Sequence, residues 1–174
     1  MIIGLDLSLR HTGYALCGDG RAIKEAGTVK PPKGLRGPAR LNYIGSRVEH
    51  TINKNPVHLV VIEGYSMGSR GLSYDIGELG GVVRLAVWKK GVDALVVPPT
   101  VLKKHATGKG SASKEDMLSS VQVHYATSND NVADAVLLGL LGRDYLKARH
   151  EGLPGSLLDL LNKCVFIPGQ GWSI

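Results

Sequence analysis

The sequence predicts an α/β domain with a mixed five-stranded sheet, three antiparallel hairpin strands plus two parallel ones, flanked by helices on both faces. Three observations predict it. Three short strand-like runs crowd into residues 1–29, too close together for anything but hairpin links. The run His58–Ile62 is continuously apolar, as in a central strand covered on both faces. From there on helical patterns alternate with strand patterns, which is how parallel strands are joined.

The elements follow in order. Met1–Leu7 is an apolar strand broken by Asp6, and Thr12–Cys17 is the next, reached through the Ser8–His11 turn. Ala22–Val29 forms the third. Lys30–Pro38 holds three prolines and two glycines and reads as a loop. Ala39–Asn53 carries Leu41, Ile44 and Val48 at helical spacing. The strand His58–Ile62 ends in Glu63, and Gly64–Gly71 is a glycine-rich loop. Leu72–Lys90 is a long helix with Ile76, Leu79, Val83 and Val87 on one stripe. Its Gly77, Gly80 and Gly81 are poor helix formers, and they allow another backbone to come close. Ala94–Val97 is a strand stopped by two prolines, and Thr100–His105 is a short helix capped by Thr100. Thr107–Ser113 is a basic loop of small residues, and Lys114–Tyr125 a helix with Met117, Leu118 and Val121 inward. Asp130–Lys147 is the last strong helix, and Leu157–Leu161 adds one short helix in the tail. This order suits a ribonuclease H-like fold in residues 1–150, with 151–174 as a C-terminal extension.

Composition narrows the function classes. The 174 residues suffice for one full core and not for two large domains. A net charge of +6 suggests an anionic partner, and nucleic acid is the commonest. Aromatics at 5% are too few for a surface built on base stacking. The two cysteines, Cys17 and Cys164, form no metal-ligand spacing and no disulfide framework, which suggests a reducing, cytoplasmic setting. The start of the chain lacks a signal-peptide pattern, and no apolar run is long enough for a membrane span.

Three acids stand where a charge is costly. Asp6 interrupts an apolar strand, Glu63 ends another, and Asp134 lies on the most apolar helix. Asp130 is one turn before Asp134 on the same helix face. Ala133 and Ala135 flank Asp134 with little bulk, so this stretch can lie close against a sheet. Converging carboxylates repel one another, and divalent cations relieve the repulsion. Oxygen-only ligands favour magnesium or manganese over zinc. Two such ions can hold an attacking water and a leaving oxygen on a phosphodiester. Each acid also has a plainer reading: Asp6 satisfied by turn amides, Glu63 paired with a lysine, Asp130 an N-cap.

At this point the residues resemble a known family. IIGLDLSLRHTGYAL is similar to the opening of RuvC-type Holliday junction resolvases, and VVIEGYSM to their second acidic motif. PPTVLKKHATGKGSASKEDM resembles their basic loop and the helix after it, and DNVADAVLLG their last acidic motif. Order and spacing agree from Met1 to about Leu146, as in a compact, phage-encoded member acting in the host cytoplasm. The resemblance implies a homodimer that resolves four-way DNA junctions by paired nicks with magnesium or manganese. It implies Asp6, Glu63 and Asp134 as metal ligands. The family's fourth ligand falls on Asn131, one residue after an acid, and Asp130 is our choice for it. The family often places an aromatic wedge after the second acid; here Tyr65 is the one aromatic there, with Met67 as the other candidate.

Lys103, Lys104, Lys109 and Lys114 fall within twelve residues, next to Gly108 and Gly110, and read as a phosphate clamp. Arg10 is a further candidate phosphate contact. A nucleotide P-loop is excluded, because that motif needs glycine at Lys103 and Ser or Thr at Gly110. The helix 72–90 is the candidate dimer interface. Rival readings are a broader branched-DNA or flap nuclease of the same fold, and a catalytically silent junction-binding protein. A two-domain ATP-binding fold needs a longer chain. A motor or helicase partner is left open.

Overall fold

The computed structural model describes residues 1–18, 20, 22–64, 73–152 and 155–170. A six-stranded sheet runs in the order β3-β2-β1-β4-β5-β6. Its strands are β1 (Ile2–Asp6), β2 (Thr12–Cys17), β3 (Ile23–Val29), β4 (Leu59–Glu63), β5 (Asp93–Val97) and β6 (Val165–Ile167). The first three form antiparallel hairpins, and β1, β4 and β5 are mutually parallel. The sixth strand departs from the five expected. β6 pairs antiparallel with β5, so the tail closes what would be an exposed edge. At three residues it is too short to show a period in the sequence.

The helices are α1 (Gly37–Lys54), α2 (Ser73–Lys89), α3 (Pro99–Thr107), α4 (Lys114–Val121), α5 (Asp130–Glu151) and α6 (Gly155–Leu161). Alternation along the strands feeds two cores. Ile3, Leu5, Val60 and Ile62 pack under α1 and α2 with Ile44, Val48, Leu79 and Val83. Ile2, Ala15, Leu59 and Val61 face α5 and pack with Ala135, Val136 and Leu138. The apolar runs are thus covered on both faces.

Several boundaries differ from expectation. The N-cap of α3 is Pro98 rather than Thr100, and no side chain caps it. Proline in the first turn supplies a preset φ instead. α4 ends at Val121 rather than Tyr125, where the His124 and Tyr125 amides both turn back to the Val121 carbonyl. α5 runs on to Glu151 and stops at Gly152, whose φ of 70° is accessible mainly to glycine. Among the described residues no helix is long and apolar enough to cross a membrane.

Candidate active site

Strand alternation places the first two acids. Ile2 belongs to the core under α5 and Leu5 to the opposite one, so Asp6 turns to the α5 face. The same count from Leu59 and Val61 turns Glu63 to that face. The parallel register pairs Leu5 with Ile62, so the two acids follow side by side at the carboxyl ends of β1 and β4.

The third acid arrives because α5 lies directly on the sheet. A Cβ on Gly4 would collide with the Ala135 carbonyl, and one on Gly13 with the Asn131 carbonyl. Gly13 is the β2 partner of Asp6. These two glycines clear the bed for the start of α5, and Ala133 and Ala135 are fully buried against it. Asn129 caps the helix by accepting from the Val132 amide at 3.2 Å. The cap is therefore Asn129, and Asp130 is the first helical residue. At the other edge Thr12 is buried and donates to the Ser8 carbonyl at 2.6 Å, fixing the turn after β1.

The three acids form one electrostatic cluster. Burial raises the Asp6 carboxyl well above its ordinary range, and Asp134 and Asp130 add to the rise. Burial raises Glu63 likewise, reinforced by Asp6 and Asp134. Asp6 and Glu63 lie close enough to act on each other's carboxyls, so they titrate as an interacting pair. Asp134 is pushed up to about 6 by burial and by Asp130. Asp130 behaves differently: it receives the Lys114 ammonium at 2.7 Å, which holds its carboxyl below the usual value. Among the described residues no three potential ligands yet encircle one point. Asp130 is turned to Lys114. The donor set still suits a hard divalent cation, being carboxylate oxygens with no cysteine or histidine among them.

The structure brings two of the four loop lysines to the acids. Lys103 acts on Glu63 and Asp134, and Lys114 on Asp6 and Asp134. Both line a cavity of about 130 Å³ beside Asp130 and Asp134, with Met117, Leu118 and Ala133 as its apolar wall. Lys104 is exposed one position further round α3, and Lys109 sits near Asp116. Gly108 is the left-handed cap of α3, at φ 80°. The α4 start is fixed by a capping box between Ser113 and Asp116, which holds Lys114 at the first helical position. Arg10 is exposed in the turn after β1. Tyr65 and Met67 lie outside the described residues.

A profile of the family described as "Crossover junction endodeoxyribonuclease RuvC" matches residues 2–140. The chain belongs to the RuvC family. A RuvC from Mycobacterium tuberculosis is 30% identical over 125 residues, which cover 69% of this chain and 66% of that one. One from Rhodopirellula baltica is 30% identical over 150 residues, covering 81% of this chain and 84% of the other. Among solved structures, Thermus thermophilus RuvC superimposes with a TM-score of 0.71 at 23% identity, covering 85% of this chain and 96% of that one. The same protein described in complex with Holliday junction substrate gives 0.74 at 22%, covering 85% and 95%. The fold is the α/β ribonuclease H-like fold. The RuvC match ends at residue 140, so α6 and β6 lie beyond it.

The sequence reading missed Gly4 and Gly13 as the bed of α5. Their signal was present, as glycines facing small residues of a helix. It also missed the pair His105 and Asp144, whose partners lie 39 residues apart with no pattern joining them.

Proposed function

We propose that this chain is an endodeoxyribonuclease that resolves four-way DNA junctions by paired nicks, as a homodimer and with divalent metal. One observation carries the reading. Asp6, Glu63 and Asp134 are partly buried together, and no described cation is close enough to bring their carboxyls down to the ordinary range. A fold gains nothing from that arrangement unless something positive binds there.

Asp6, Glu63, Asp134 and, once it releases Lys114, Asp130 would hold two ions of magnesium or manganese. When bound, these ions would supply Lewis-acid activation of water and neutralise charge on the phosphate. The chain's own residues do the rest. Lys103 and Lys114 place the scissile phosphate over the acids and offset the charge that builds on it. Water attacks phosphorus in line, the bond to the 3′-oxygen breaks, and that oxygen leaves as a hydroxyl with the phosphate on the 5′ side. Lys104, Lys109 and Arg10, all exposed, would meet flanking phosphates. Tyr65 and Met67 follow Glu63 in the sequence and are the side chains proposed to open the junction centre.

The dimer reading rests on α2. Tyr74, Gly81, Leu85 and Trp88 are exposed and share one helical face. A Cβ on Gly77 or Gly81 would meet no described atom within 4 Å. These glycines do not serve the contact with the sheet, and a second α2 could pack closely over them across a two-fold axis. Two active sites would then face two strands. The expected place of action is the cytoplasm, in DNA recombination and repair.

The test is cleavage of a labelled four-way junction, with linear duplex and flap controls, in magnesium, manganese and chelator. Paired, metal-dependent nicks that vanish in Glu63→Gln are the expected result. Equal cleavage of flaps would broaden the substrate to branched DNA. Tight junction binding without cleavage in either metal would overturn the enzyme.

A further inference from the structure

On the face opposite α5, α1 and the outer strands do not close on each other. α1 seats Ile44, Val48 and Ile52 in the core beneath it. Between its outer flank and β2–β3 lies a groove of about 490 Å³, floored by Ile3 and Leu5. Arg47, His50 and Lys54 project from one side of α1 into it, and Lys30 stands at the end of β3. The helical three recur at steps of three and four residues, so they form one row.

The charges in this groove are not spent on described acids. Among the described residues Glu25 is the one acid that lines it, and its carboxylate accepts the Tyr14 hydroxyl at 2.7 Å. None of Lys30, Arg47 and Lys54 forms an ion pair with a described acid. Three permanent positive charges therefore line an open trough with one acid among them. Such a concave, low-dielectric wall focuses its field on anions. The cations are strung along a line rather than gathered at a point. Arg47 and Lys54 are seven residues apart, roughly 10 Å of helix axis. That span matches about three phosphate steps of 3.4 Å along a duplex axis.

The groove also starts at the right edge of the sheet. Val29, beside Lys30, pairs with Thr12, and the next residue, Gly13, pairs with Asp6. Its upper end and the acid cluster thus share one edge, on opposite faces. The groove lies towards β3, whereas α2 packs towards β5. A branched substrate sends arms away from the cut in more than one direction.

We propose that this groove is a second DNA-contacting tract, binding phosphodiester groups of an arm that leaves the cut site; the identity of the arm rests on the nuclease reading above. Recognition is by backbone charge and carries no sequence preference.

The test measures binding of a labelled four-way junction to the full chain over a range of salt, in chelator. The variants are Arg47→Ala/Lys54→Ala and a charge-matched control, Lys147→Ala/Lys163→Ala, on the other side of the molecule. Circular dichroism checks that both fold. The groove variant should lose about tenfold or more in affinity, and the salt slope should fall by about two. The control should keep the wild-type slope. Equal slopes for the two double variants would overturn the tract, as would a wild type that binds no DNA. Inorganic phosphate and a deoxynucleoside triphosphate are titrated against the His50 ring resonances. Saturation by either, undisturbed by added junction, would make this a small-anion site and overturn the DNA assignment. Cleavage is scored separately. A groove-dependent slope without cleavage fails the nuclease and keeps the tract, and paired nicks with no groove dependence fail the tract alone.

Discussion

Helix α5 carries two inward acids ten residues apart, and they have opposite fates. Asp134, near its start, is pushed up to about 6 by burial and by Asp130, and the Lys103 and Lys114 charges do not bring it back. At Asp144 burial alone would also raise the carboxyl, but His105 and Arg143 overcome it and hold it at about 2. Arg143 donates to Asp144 at 2.6 Å, and the His105 ring lies 3.1 Å away. One helix thus shows both ways of burying a carboxylate. Asp144 is neutralised by its own chain and ties α3 to α5. At Asp134 the described lysines offset only part of the rise. Charge alone does not mark a functional acid; a missing partner does.

The sharpest way to break this comparison is to remove each charge in turn. Asp134→Asn should cut junction cleavage by roughly a hundredfold to a thousandfold or more, read in single-turnover assays. Metal-free stability should hold or rise, because a burdened charge has gone. Asp144→Asn should do the reverse. Unfolding in denaturant should show a loss of about 1–3 kcal/mol, since Arg143 and His105 lose their partner. Cleavage at saturating metal should change little.

The pH dependence separates the two acids next. The folded pKa of Asp134 is raised, so its stability contribution is complete below its ordinary value near 3.8 and is lost as pH rises through about 6. For Asp144 the folded pKa is lowered. Its contribution is complete above pH 3.8 and is lost as pH falls through about 2. Denaturant midpoints against pH, in chelator, should show Asp134→Asn flattening the decline above pH 4. They should show Asp144→Asn flattening the acid limb. A single acid limb common to both variants would erase the distinction.

Asp130 should show the smallest effect. It is half-exposed and already paired with Lys114. Asp130→Asn should lower cleavage less than Asp134→Asn does, and more at low metal than at high. If cleavage is unchanged at every metal concentration, Asp130 serves only to hold Lys114.

Much of this was legible in the sequence, for physical reasons. Alternation and apolar runs dictate strands and faces, so Asp6 and Glu63 could be placed from β1 and β4 alone. The helical pattern around Asp134 and the small residues beside it placed the third acid. What escaped depends on contacts without a local period. β6 is three residues long and exists because β5 offers it an edge. The caps at Pro98 and Asn129 turned on which neighbour took a helical φ. Of the four loop lysines, only geometry sorts Lys103 and Lys114, which reach the acids, from Lys104 and Lys109.

If Asp6, Glu63 and Asp134 receive metal, the Asp134 charge should burden the metal-free fold and be relieved by the ion. Thermal unfolding of wild type and Asp134→Asn at pH 8, in chelator and then in manganese, tests it most directly. The variant should be at least as stable as wild type in chelator, with most of the metal-induced rise gone. A variant that is less stable in chelator, yet gains as much from manganese as wild type, would contradict it.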